Sequence, residues 1–226
     1  QFYCCSPLAL NDPFDCRIDW AASLERALAS PKMTDDRRNS LATLRETFLV
    51  ADPPSEAGVC CFTCKVDDPL MWSHYADGHR GVCLLYEIPR DYFMSRYSPE
   101  VDKDFFFVGG APVCYQSNVF YDWLTTGDLD SPHAGSVAEN AMTVMFTAKA
   151  PEWSHEEEYR IITRRPGRMT FEPGFLKQVV FGLGTPEQPR RLITQVAKRA
   201  NKDVVLSEAR RSAYNDFGMT FPEIAD

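Results

Sequence analysis

The sequence has no run of roughly 18 apolar residues, the length that a membrane-crossing helix needs, so no membrane partner is expected. It has no basic stretch leading into an apolar one, as a secretory signal would. No G-x-S-x-G elbow and no H-E-x-x-H is present, which removes those signatures of serine hydrolases and zincins. No internal repeat or low-complexity segment is visible. The chain also lacks an initial Met. It opens at Gln1 in strand-like residues, "QFYCCSP", and a preceding segment is expected.

What is present is an ordinary globular composition. There are 226 residues, 44% hydrophobic and 12% aromatic, enough for a sizeable core without disulfide staples. The net charge is −8, which argues against broad nucleic-acid binding. The charge is uneven. Residues 160–211 hold 12 Lys/Arg against 4 Asp/Glu, a surface suited either to an anionic ligand or simply to solvent. Eight cysteines lie largely within apolar runs such as "GVCCFTC" and behave as small hydrophobes, which fits a reduced, cytoplasmic protein. Cys61 and Cys64 form a C-x-x-C without a second pair, and no metal site is expected.

"NDPFD" (Asn11–Asp15) is turn chemistry. Ile18, Trp20, Leu24 and Leu28 recur at helical spacing, and so do Leu41, Leu44 and Phe48. "DPPSEAG" (Asp52–Gly58) should end that second helix. "DDPLMWSHYADGHRG" predicts a short helix capped by Asp67 or Asp68, with Pro69 in its first turn and Gly78 after its end. Val137, Ala141, Val144, Met145 and Ala148 predict a helix reaching Ala150. Leu192, Val196 and Ala200 predict the inward face of a late helix. Strands are expected at "VCCFTC", "GVCLLYEI", "PVCYQS", "EEYRIITR", "QVVFG" and "DVVLSEA". No regular βαβ alternation appears. The expected class is therefore α+β, a single domain over 1–226 with a mixed, largely antiparallel sheet and several packed helices.

Two clusters could carry chemistry. In "EWSHEEEYRI" strand alternation places Glu156, Glu158 and Arg160 on one face and Glu157 on the other. Two carboxylates at that spacing beside a guanidinium could form a polar active-site wall, or a solvent-facing edge strand with an ion pair. Glu157 should tolerate substitution, and Trp153 should anchor packing beside the site. "MWSHYADGHRG" packs Trp72, His74, Tyr75, His79 and Arg80 together, with aromatics to stack on a ring and Arg to meet phosphate. His74 should lie on the apolar side of its helix with Leu70, a position that also suits a hydrogen-bonded core residue. "FGLGTPEQP" (Phe181–Pro189) lacks the third glycine of a dinucleotide fingerprint and reads as an ordinary turn and cap.

"NDPFD", "DPLMWSHYADGHRGVCLLYE" and W-x-x-E-x-E-x-R (Trp153, Glu156, Glu158, Arg160) together resemble the bacterial family catalogued as domain of unknown function 2971. "KQVVFG" and "YNDFGM" also fall where that family has similar segments. More distantly, E-x-E on a late strand is similar to the glutamate motif of ADP-ribosyltransferases. That resemblance implies NAD as substrate, no metal cofactor, Glu158 as the residue that holds the ribose and stabilises an oxocarbenium-like centre, and Glu156 as the group that orients or deprotonates an acceptor. It also implies an Arg or His for which His74 or Arg80 could stand in. Trp72 or Tyr75 would stack on a ring, and Arg80 or Arg160 would meet the pyrophosphate. Partners would be a nucleotide-type small molecule and a protein or nucleic-acid acceptor. Two other readings stand beside this one. One is a non-catalytic nucleotide- or protein-binding module of a defence or toxin system. The other is a metal-dependent nucleic-acid enzyme using Asp12, Asp15 and Glu158.

Overall fold

A computed structural model describes residues 1–50, 56–89, 91–127 and 136–224. In chain order its first elements are β1 (Phe2–Cys4), α1 (Trp20–Leu28), α2 (Asp35–Val50), β2 (Gly58–Thr63), α3 (Pro69–Tyr75) and β3 (Val82–Tyr86). Next come α4 (Tyr92–Arg96), β4 (Phe107–Pro112), β5 (Cys114–Tyr115), α5 (Val119–Thr126), α6 (Val137–Phe146) and β6 (Ala148–Lys149). A 3₁₀ turn (Pro151–Glu156) leads into β7 (Glu158–Thr163) and β8 (Gly167–Met169). The chain continues through β9 (Leu176–Phe181), α7 (Glu187–Ala200), β10 (Val205–Glu208), β11 (Arg210–Arg211) and β12 (Met219–Thr220). The α+β class holds; the sheets are small, β10-β9-β3 is mixed, and antiparallel pairings predominate. Most of the expected helix break at Asp52–Gly58 lies outside the described residues.

The chain divides into two compact units. The first comprises Gln1–Cys64 and Phe93–Met169. Its principal sheet has the order β2-β7-β4, antiparallel throughout, with β7 in the centre. Val59 and Ile162 share a core with Leu24 of α1, Leu41, Leu44 and Phe48 of α2, Phe120 and Leu124 of α5, and Met142, Met145 and Phe146 of α6. Burying such a side chain stabilises by about 1.5–3 kcal/mol, so these helices are held mainly by packing. A capping box between Ser136 and Glu139 fixes the start of α6. That helix stops at Phe146, short of the expected Ala150, because Ala148 and Lys149 pair in parallel with Cys114 and Tyr115.

The second unit comprises Lys65–Tyr92 and Thr170–Asp226. Its sheet has the order β10-β9-β3, with β10 parallel and β3 antiparallel to β9. The parallel pair requires a crossover, which α7 supplies. Ile193 and Ala197 carry α7 onto Leu176, Val179, Phe181 and Val204. The expected inward face is therefore corrected: Leu192 is 62% and Val196 60% exposed, and Ala200 is exposed as well. The buried stripe lies one residue further along than the expected one, about 100° around a helix with 3.6 residues per turn.

Candidate functional site

Arg160 organises the first cluster. It lies on the central strand β7 and is 0% exposed. Strand alternation sends Glu158, Arg160 and Ile162 to the same face, where the helical core lies. An edge strand facing solvent is thus ruled out, since β7 has a neighbour on each side and is buried almost throughout. Glu156 reaches the cluster from a different element. It is the last residue of the 3₁₀ turn, and Glu157 then adopts a left-handed conformation, φ 43° and ψ 52°, before β7 begins.

All three guanidinium nitrogens donate to buried acceptors. Nε donates to Glu158 Oε2 at 2.6 Å, while Nη1 and Nη2 meet Asp15 Oδ1 and Oδ2 at 2.7 and 2.8 Å. Nη1 also donates to the Phe146 carbonyl at 2.9 Å. The bidentate pairing with Asp15 suits the planar geometry of arginine. Asp15 is presented by the "NDPFD" turn, in which Asp12 Oδ1 accepts the Phe14 N–H at 2.9 Å and the Asp12 carbonyl accepts the Asp15 N–H at 3.2 Å.

A second cation was not foreseen. Lys149 Nζ, on β6, contacts Glu156 Oε2 and Glu158 Oε1 directly and lies 3.4 Å from Asp15 Oδ2. It also sits over the Trp153 ring, 5.1 Å from the centroid, which gives the expected anchor a contact with the cluster. The cluster thus contains three carboxylates and two cations, a formal charge of −1, and all five residues are buried. Burial works against ionisation of Glu158. Hydrogen bonding from Arg160 and Lys149 outweighs it and holds Glu158 at about 2. Burial likewise opposes the charge on Lys149 and Arg160. Their carboxylate partners prevail and raise both above their ordinary values.

The other residues read from the sequence lie in the second unit. Asp68 caps α3 through the Leu70 and Met71 N–H groups, at 2.7 and 3.2 Å. Trp72 is buried, donates its indole N–H to the Val66 carbonyl at 2.6 Å and stacks on Phe221. His74, Tyr75 and Arg80 are exposed. The shared face of Leu70 and His74 therefore points outward, against expectation, and His74 meets Tyr75 edge-on at 6.4 Å. Arg80 pairs with Asp77 at 3.0 Å. Asp77, Gly78 and His79 are all left-handed, with φ of 48°, 59° and 65°. That conformation costs a residue bearing a side chain roughly 1–2 kcal/mol. His79 Nδ1 is buried without a hydrogen-bond partner. Gly182 of "FGLG" is required here, because a Cβ at that position would meet the His79 carbonyl oxygen at 2.3 Å.

The two clusters thus stand in different compact units: Glu156, Glu158 and Arg160 in the first, Trp72, His74, Tyr75 and Arg80 in the second. Asp12 is occupied as a turn cap, and the cations of Arg160 and Lys149 stand between the oxygens of Asp15 and Glu158. Among the described residues, no group of three His, Cys, Asp or Glu side chains could hold a metal ion, and no helix is long and apolar enough to cross a membrane.

These features define an α+β protein with a buried, closed ion network under its central strand. Residues 71–161 match the family described as protein of unknown function (DUF2971), so the resemblance read from the sequence holds over that segment. No curated protein and no solved structure matches the chain.

Proposed function

We propose that this chain is a non-catalytic module that binds a nucleotide-type ligand through His74, Tyr75 and Arg80, with the cluster of Asp15, Lys149, Glu156, Glu158 and Arg160 as its internal scaffold. One observation carries the reading: both carboxylate oxygens of Glu158 are engaged, Oε1 by Lys149 and Oε2 by Arg160. A carboxylate that stabilises a developing sugar cation must direct its charge at the substrate. Both oxygens of Glu158 are instead turned to Lys149 and Arg160 within the buried cluster. His74 and Tyr75, by contrast, offer an imidazole and a phenol ring at the surface, beside the exposed Arg80 guanidinium that is paired with Asp77. The left-handed turn beside them is the kind of strained backbone that concentrates at ligand sites.

Calorimetric titration with ADP-ribose, NAD and ATP tests this. Tyr75→Ala and Arg80→Ala should each weaken binding about 10-fold, equivalent to about 1.4 kcal/mol, with the unfolding midpoint unchanged because both side chains are exposed. Absence of binding to all three ligands would overturn the reading.

An ADP-ribosyltransferase or NAD glycohydrolase is the second reading. The anionic state of Glu158, held down to about 2, favours it, since the role implied for that residue requires a charged carboxylate. It predicts nicotinamide release from NAD by the wild type and its loss in Glu158→Gln. The first reading predicts no release from either.

A further inference from the structure

The doublets Cys4-Cys5 and Cys60-Cys61 meet on neighbouring strands. Cys5 and Val59 form an antiparallel bridge, with the Cys5 N–H to the Val59 carbonyl at 2.9 Å and the Val59 N–H to the Cys5 carbonyl at 2.8 Å. An exchange of both bonds marks a hydrogen-bonded pair, so the next pair, Cys4 opposite Cys60, is a non-hydrogen-bonded one with Cα atoms about 4.5 Å apart. That spacing lies inside the range a disulfide spans. Cys61 lies opposite Arg160 and takes the other face of β2, while Cys60 lies opposite Ile161. The register therefore selects one pair from the four thiols.

We infer that Cys4 and Cys60 form an oxidation site that a peroxide converts to a cross-strand disulfide tying the end of β1 to β2. In the first step the Cys4 sulfur attacks hydrogen peroxide. An S–O bond forms, the O–O bond breaks, and the departing hydroxide is protonated to water. Cys60 sulfur then attacks Cys4 sulfur. The S–S bond forms, the S–O bond breaks, and a second water leaves with the thiol proton. Two thiols and one peroxide yield one disulfide and two waters. The roles follow from the local chemistry: the adjacent Cys60 side chain lowers the Cys4 thiol against the effect of burial, and Cys4 together with burial pushes the Cys60 thiol up. Both thiols are buried, so peroxide, being small, is a better oxidant here than glutathione disulfide.

Treatment of the folded chain with one equivalent of hydrogen peroxide tests the pair. Thiols titrated in denaturant should fall by two from the eight present. Tryptic digestion should join the peptide ending at Arg17 to the one ending at Lys65. Those peptides also carry Cys5, Cys16, Cys61 and Cys64, so variants assign the bond. The link should persist in Cys5→Ala and Cys61→Ala and vanish in Cys4→Ala and Cys60→Ala. Fragmentation of the joined wild-type peptides gives the same assignment without any variant, should one fail to fold. A link that survives Cys4→Ala, or no link at all, would overturn the inference.

Discussion

Arg160 and Lys149 show how a few side chains can constrain a whole unit. A buried charge whose partner is removed costs about 3–5 kcal/mol. Lys149→Met keeps much of the shape but strips the cation from Glu156 and Glu158. The expected loss is about 3–5 kcal/mol, read by urea unfolding at neutral pH and smaller in acid, where the carboxylates can protonate. Glu158 also sets a pH dependence. Its pKa is about 2 in the folded chain and about 4.3 when unfolded. The stability it contributes is therefore complete above about 4.3 and is lost as pH falls through about 2. The unfolding midpoint of Glu158→Gln should vary less than that of the wild type across this window. At Glu157 the left-handed backbone, not the side chain's direction, sets the outcome. Both Glu157→Gly and Glu157→Val remove the carboxylate, but the valine should be less stable by roughly 1–2 kcal/mol, a gap that thermal melts would resolve.

At the scale of elements, α7 and the turn at Gly182 are the clearest tests. Lysine at position 192 or 196 should shift stability by less than about 0.5 kcal/mol, because both positions face water. Ala197→Lys puts a charge into the packed face beneath Val179 and Phe181, and the same denaturation assay should show a loss several times larger. A helical period read from sequence gives the existence of α7 with ease, yet the stripe Leu192–Val196–Ala200 and the stripe Ile193–Ala197 are both apolar. Packing against β9 selects the second. The same limit applied to Leu70 and His74, whose shared face is genuine but turned outward.

For the whole molecule, the charge asymmetry is smaller in effect than in count. Arg190 and Arg210 share Glu208, and Arg191 pairs with Glu187. With a net charge of −8, the chain should pass through a heparin column unretained at about 0.15 M salt. Retention would support a nucleic-acid acceptor. The match over residues 71–161 runs from Met71 of α3 to Ile161 of β7, and so draws on both compact units.

The local sequence determined much of this. The α+β class, the Asp68 cap, the turn at Asn11–Asp15 and the common face of Glu158 and Arg160 depend on near neighbours and on the two-residue period of a strand. Other outcomes depended on residues far apart in the chain. Asp15 meets Arg160 only because a turn near the start is packed against the central strand, and Lys149 joins them because α6 ends early and β6 turns its ammonium inward. Sequence pattern told which side chains share a face. Only the tertiary structure decided whether that face meets water, a helix or a counter-charge, because burial is set by whatever packs across it.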